Sequence, residues 1–269
     1  MIKQAVDFIK KNLGINAPKT AVILGSGLSG FAQFLDNTKA IKYIDIPGFP
    51  HSTVQGHKGE LIKGYIGKQE ILCLNGRFHL YEGHEPKVIK DVMQILKELK
   101  VTRLIVTNAA GSLREDLSPG SLMLIKDHIN FSGKNPLVGP NDDAYGPRFP
   151  SMNNAYTPNL RSNIKQVASS LNIKLEEGVY LMVLGPNFET SAEVKAFGIL
   201  GADAVGMSTV PEVISAVYCS MEVLGISVIT NYAAGLVNNT PSHQETLEEA
   251  QKASDKLVKL ITAFINKGE

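Results

Sequence analysis

The sequence predicts an α/β protein. Short apolar runs that read as buried strands alternate with segments whose apolar residues recur at helical spacing. Six of the strands run out into polar or glycine-containing corners, the end of an α/β strand where ligands bind. No Pro/Gly/Ser-rich linker, internal repeat or low-complexity tract breaks the alternation. A chain of 269 residues, 43% hydrophobic and 20% charged, then suits one large domain over residues 1–269.

Residues 2–13 carry apolar side chains at Ile2, Ala5, Val6, Phe8, Ile9 and Leu13, a helical spacing. Residues 20–24 form a short strand that enters Gly25-Ser26-Gly27-Leu28-Ser29-Gly30 and then a helix-like stretch over 31–35. This is a G-x-G-x-x-G run after a strand, and Asp45 stands 20 residues beyond Gly25, where a ribose-binding acid belongs in a dinucleotide site. Two features oppose that reading. Residues 41–46 run into the loop Pro47-Gly48-Phe49-Pro50 where a doubly wound unit needs a helix, and the same glycine loop cradles a single phosphate equally well. A glycine-flanked basic loop, Val54 to Gly59 with His57 at its centre, fits closure over an anion or a plain turn.

Residues 60–65 and 69–74 read as a hairpin. Its second strand leads to Gly76-Arg77-Phe78-His79-Leu80-Tyr81. A strand period of 2 puts Arg77, His79 and Tyr81 on one side, a cation, an imidazole and a phenol suited to an anion and an attached sugar; a solvated strand end is the alternative. Residues 86–99 form an amphipathic helix opened by Pro86. A strand over 104–106 ends in Thr107-Asn108-Ala109-Ala110-Gly111-Ser112, and another spans 121–125. Residues 132–157, with the Pro158 that follows, hold five of the 13 prolines, an irregular stretch expected to serve function or cover a partner.

A helix over 160–171 precedes a strand over 178–184 that ends in Gly185-Pro186-Asn187-Phe188-Glu189. A helix over 191–200, a short strand over 203–205 ending in Gly206-Met207-Ser208-Thr209, a helix from Pro211 to about 223 and a strand over 226–229 ending in Thr230-Asn231 follow. Ser242 and Glu245 form a capping box for a C-terminal helix to about 266.

Net charge is +1, which suggests neither nucleic acid nor an anionic membrane as partner. Cys73 and Cys219 lie in apolar runs without CxxC spacing and read as buried free thiols, with no metal site implied. Lys3, Asp7, Lys10 and Lys11 interrupt the N-terminal segment, no run is long enough to span a bilayer, and a cytoplasmic protein is expected. His51, His84 and His128 have no metal-ligand spacing and read as structural.

The ordered segments GSGLSG (25–30), STVQGHKGEL (52–61), GRFHLYEGH (76–84), VTNAAGSL (106–113), GPND (139–142), RFP (148–150), GPNFET (185–190), GADAVGMSTVPEV (201–213) and ITN (229–231) resemble the trimeric class of purine nucleoside phosphorylases. The resemblance covers nearly the whole chain. It implies a distorted mixed β-sheet core flanked by helices, a homotrimer, and no metal or organic cofactor, with inorganic phosphate as co-substrate. It implies phosphate contacts from Ser26, Arg77, His79, the Ala109 backbone and Ser208, with His57 on a closing loop. It implies a purine held by Glu189 and Asn231, a ribose held by Tyr81, Met207 and His243, and Tyr180 and Phe188 packed near both. Phe149 matches an aromatic lent by a neighbouring subunit. Residues 232–242 look like the bacterial branch, so His243 is placed by its position before Gln244-Glu245.

The implied reaction is phosphorolysis of a purine nucleoside, catalysed through His79, Glu189 and Asn231. The side-chain amide of Asn231 suits a 6-oxo group, whereas methylthioadenosine phosphorylases carry an Asp there; a methylthioadenosine or xanthosine phosphorylase is the alternative. Blander readings stand beside these: Glu189 as a helix-dipole charge, Met207 as core filler, Asn231 as a turn residue.

Overall fold

The computed structural model describes residues 1–50, 58–237 and 243–268, and for residues 29 and 243–247 the backbone alone. Among these, strands β1 (Thr20–Ile23), β2 (Asp36–Lys42), β3 (Glu60–Ile66), β4 (Gln69–Asn75), β5 (Arg103–Ser112), β6 (Leu122–Asn130), β7 (Leu175–Met182), β8 (Ala204–Gly206) and β9 (Glu222–Tyr232) form one mixed sheet. Its order is β2-β3-β4-β1-β5-β8-β7-β6-β9, and β9 pairs back onto β5. Half of the sheet therefore closes into a ring, which is the distortion the resemblance implied, and β1 to β4 extend from it as an open wing.

Helices α1 (Ile2–Leu13), α2 (Pro86–Glu98), α3 (Pro158–Ser170), α4 (Ser191–Ile199), α5 (Val210–Tyr218) and α6 (His243–Lys267) flank the sheet. Alternation along the strands divides the core into two layers. Ile23, Leu72, Leu74, Leu104 and Val106 pack with α1, α2 and α5, while Val22, Leu24, Ile71, Cys73 and Ile105 pack with α3 and α6. On α2 the buried positions Ile89, Val92, Met93 and Leu96 recur at steps of three and four and make one stripe. Each such side chain contributes about 1.5–3 kcal/mol on burial. Truncating Leu96 to Ala would cost about 2–5 kcal/mol.

Several elements differ from expectation: β6 runs on to Asn130 and β7 starts at Leu175. β5 runs on to Ser112, so the small residues 107–112 lie within a strand and not in a corner beyond it. α5 stops at Tyr218, where Ser220 turns the chain left-handed at φ 60°, and β9 starts at Glu222. β2 is almost wholly exposed and shows no alternation, an edge strand carrying Asp36, Lys39 and Lys42. Residues 131–157 contain no helix or strand, as the proline content suggested. The capping box at Ser242 lies outside the described residues.

Candidate active site

β5 changes partner along one edge. Thr20 to Ile23 of β1 pair with residues 103–106, and β8 joins only at Gly111 and Ser112. Residues 107–110 face the gap between those partners. The Thr107 hydroxyl bridges it, donating to the Ile23 carbonyl at 3.0 Å and accepting from the Gly25 amide at 3.2 Å. Gly25 lies so close to β5 that a Cβ there would fall 2.7 Å from Asn108 Cα. Beyond it the chain enters a 3₁₀ turn, Ser29–Phe34, and not the α-helix a dinucleotide site places against its pyrophosphate. Asp45 sits in another 3₁₀ turn and is not among the residues around the gap. The glycine loop thus suits a single anion.

A cavity of about 330 Å³ opens at the gap. One part of its wall is Ser26, Arg77, His79, Ala109 and Ser208. Arg77 is 2% exposed, and its Nη1 donates to Ser208 Oγ at 2.8 Å and to Thr209 Oγ1 at 3.2 Å. Its Nε lies 3.1 Å from Glu212 Oε1, a buried ion pair that holds the guanidinium in place. The Ser208 amide donates to the Tyr180 hydroxyl at 3.3 Å. Thr209 is the N-cap of α5 at φ 76°, ψ −48°, and the Val210 amide reaches back to the Ser208 carbonyl at 2.8 Å. This is a γ-turn of the positive-φ kind, whose backbone strain costs about 1–3 kcal/mol and gathers at functional sites.

Arg77, His79 and Tyr81 do converge on the cavity, but not by strand alternation. β4 ends at Asn75, and the chain enters a 3₁₀ turn, Leu80–Glu82, capped by His79. The imidazole stacks on the Tyr81 ring with centroids 4.6 Å apart. Its Nδ1 lies 3.2 Å from Glu82 Oε1, which also accepts from the His79 amide at 2.8 Å. Burial lowers the His79 pKa, the Glu82 hydrogen bond opposes this, and Arg77 adds to the lowering. Burial lifts the Tyr81 phenol to about 12, so it stays protonated as a donor.

Another part of the wall includes Phe188, Glu189, Val205, Met207, Thr230 and Asn231. Glu189 directly precedes the capping box in which Thr190 and Glu193 exchange bonds, with the Thr190 amide 2.7 Å from Glu193 Oε2 and the Glu193 amide 3.2 Å from Thr190 Oγ1. Burial raises the Glu189 carboxyl pKa, its own backbone amide opposes this, and Glu193 raises it further. Asn231 is 4% exposed; its Oδ1 accepts from the Thr230 hydroxyl at 2.9 Å and its Nδ2 donates to the Tyr232 carbonyl at 3.0 Å. That network sets the amide's orientation, with the second Nδ2 hydrogen left as its remaining donor.

The family model of the phosphorylase superfamily matches residues 19–266. A purine nucleoside phosphorylase 1 of Bacillus subtilis is 47% identical over 264 residues, covering 98% of this chain and 97% of the relative. The chain belongs to the purine nucleoside phosphorylases of the phosphorylase superfamily. A Schistosoma mansoni purine nucleoside phosphorylase solved in complex with adenosine superposes at TM-score 0.94 with 36% identity, covering all of this chain and 97% of that one. A schistosoma purine nucleoside phosphorylase in complex with hypoxanthine gives the same TM-score, identity and coverage.

Within this phosphorylase, Ser26, Arg77, His79, Tyr81, Ala109, Phe188, Glu189, Met207, Ser208 and Asn231 share one cavity wall. Tyr180 does not. It is fully buried behind the wall, under Gly206, where it supports the Ser208 backbone and contacts no open space. Phe149 is 88% exposed, away from the cavity, with the Arg148 guanidinium 5.8 Å from its ring. His57 and the side chain of His243 lie outside the described residues. His128 Nδ1 hydrogen-bonds the Tyr156 hydroxyl at 3.2 Å, a structural contact. The residues that sequence reasoning missed are Glu82, Asn108 and Thr209, and Glu212 as an ion-pair partner. A lone acid among the apolar residues of α5 was the legible sign of Glu212.

Proposed function

We propose that this phosphorylase cleaves 6-oxopurine nucleosides (inosine, guanosine and their 2′-deoxy forms) to free base and (deoxy)ribose 1-phosphate, reversibly, in purine salvage. The observation that carries the reading is one cavity walled both by Arg77 and Ser208 and by Glu189 and Asn231. Ser26, Arg77, His79, the Ala109 backbone and Ser208 hold phosphate, and His57 belongs to the same set. Neutral His79, its Nδ1 proton directed to Glu82, accepts at Nε2 the hydroxyl of the phosphate dianion. Tyr81 and Met207 hold the ribose, with His243, and Phe188 covers the pocket rim.

The C1′–N9 bond breaks as a phosphate oxygen closes on C1′ from the opposite face, inverting it. The bond's electron pair goes to the purine, and positive charge grows on the ribose beside the dianion. Asn231 Nδ2 donates to the N7/O6 edge as charge builds there, and the Glu189 carboxylate accepts from N1–H. Both contacts strengthen on the way to the transition state, which is how binding groups accelerate a reaction. The Asn231 hydrogen-bond network supports a 6-oxo preference, because its amide oxygen is already engaged by Thr230.

Phosphate is the co-substrate, and no organic cofactor or metal enters this scheme. Helix α1 packs Ala5, Val6, Ile9 and Leu13 into the core, which supports one domain over residues 1–269. We read the enzyme as cytoplasmic. Exposed Phe149 supports a homotrimer in which each subunit lends this ring to its neighbour. Incubating the enzyme with inosine, with and without phosphate, tests the reading: hypoxanthine should appear only with phosphate. Release without phosphate would make it a hydrolase.

A further inference from the structure

We propose that Thr209 is a positioning residue for phosphate: its buried hydroxyl fixes Ser208 as a hydrogen-bond donor into the cavity. The proposal rests on reading that part of the wall as the phosphate site. Thr209 has no exposed surface and makes no contact with the cavity itself. Its Oγ1 lies 3.2 Å from Arg77 Nη1, 2.8 Å from Asn108 Nδ2 and 3.2 Å from Ser208 Oγ. The guanidinium and amide nitrogens only donate. They fill the acceptor positions of Thr209 Oγ1, so its single proton goes to Ser208 Oγ.

Ser208 Oγ also accepts from Arg77 Nη1 at 2.8 Å. With two donors directed at it, both of its acceptor positions are used. Its own proton then points away from Arg77 and Thr209, into the cavity that Ser208 lines. A serine hydroxyl that is free to rotate donates or accepts; this one is wired to donate. An anion rich in acceptor oxygens gains from that, and a ligand offering a donor at the same spot does not. The γ-turn at φ 76° is what brings the Thr209 hydroxyl beneath Arg77 and Ser208, which gives the strained backbone a purpose.

The test compares Thr209→Val with Thr209→Ser. Valine keeps the β-branched shape and removes the hydroxyl; serine keeps the hydroxyl and removes the methyl. Two readouts are used: KM for phosphate against KM for inosine, and the concentration of inorganic phosphate alone that half-saturates the rise in melting temperature. Thr209→Val should weaken phosphate about threefold to tenfold in both, since the Ser208 hydroxyl is no longer held as a donor and must be oriented when phosphate binds. KM for inosine should stay within about twofold, and Thr209→Ser should match the wild type. Unchanged phosphate affinity in Thr209→Val overturns the proposal. Equal weakening in Thr209→Ser overturns it too, because the methyl and not the hydroxyl would then matter. If the valine variant does not fold, Thr209→Ala against Thr209→Ser isolates the same hydroxyl. Should the wild type release no base from inosine while the phosphate melting shifts follow the expected pattern, the wiring stands and the phosphorolysis reading fails.

Discussion

Glu82 holds His79 at two points, the backbone amide at 2.8 Å and Nδ1 at 3.2 Å, through the same oxygen. The second contact selects the tautomer with its proton on Nδ1 and leaves Nε2 as the ring's acceptor. Burial, the largest influence, pushes the His79 pKa below its ordinary value, so the folded enzyme binds its proton less well than the unfolded chain. The resulting stability is fully present above the ordinary histidine pKa of about 6.5 and is lost as pH falls through the lower folded value. We expect the wild-type melting temperature to drop more steeply below about pH 6.5 than that of His79→Gln. Parallel curves would mean that His79 carries no depressed pKa.

The Arg77–Glu212 pair sets a second expectation. Both side chains are almost wholly buried, and their facing atoms are 3.1 Å apart. Removing one member strands the other charge, so Glu212→Ala should lose about 3–5 kcal/mol in a denaturant titration. Replacing both, as Arg77→Met with Glu212→Leu, should recover most of that stability and none of the phosphate-dependent turnover. A double variant as unstable as the single one would show that packing, not charge, is lost.

Much of this site was legible in the sequence because its residues sit at corners between recognisable elements. Arg77, Glu189 and Ser208 each follow an apolar strand, with glycine or proline marking the turn nearby, and Asn231 stands near the end of one. What stayed hidden depends on contacts between distant segments. Thr209 meets Arg77 and Asn108 across separations of more than 100 residues, and no local pattern announces that. The ring formed by β9 returning to β5 is equally non-local. β2 went unseen because an exposed edge strand needs no alternation. Arg77, His79 and Tyr81 meet at the cavity through a capped 3₁₀ turn and not through the strand period that the sequence suggested.

The proposed 6-oxopurine preference rests on Asn231. Its Oδ1 is engaged by Thr230, and in that reading its Nδ2 donates to the 6-oxo group. In Asn231→Asp that donor becomes an acceptor, which suits a 6-amino group. The ratio of kcat/KM for inosine to that for adenosine should fall by about 100-fold or more, in line with the loss of one charge-stabilising donor. Retained inosine activity with no gain for adenosine would remove Asn231 from this role.

Phe149 provides the test of subunit sharing. In the proposed trimer this ring, exposed to 88% in one chain, covers a neighbour's cavity. Phe149→Ala should raise KM for inosine about tenfold, leave KM for phosphate unaltered and leave the fold intact, since the side chain is 88% exposed. Light scattering should give the mass of a trimer for the wild type. A monomer with full activity would contradict the shared site.

The most direct measurement follows phosphorus. Inosine and inorganic phosphate are incubated with the enzyme, and the ³¹P spectrum is recorded as hypoxanthine accumulates. Phosphorolysis predicts a new sugar phosphate ester resonance that grows mole for mole with free base and disappears when excess hypoxanthine drives the reaction back. Hypoxanthine appearing while the phosphate resonance stays unchanged would show that water, not phosphate, attacks C1′, and would contradict the assignment of Arg77, His79 and Ser208.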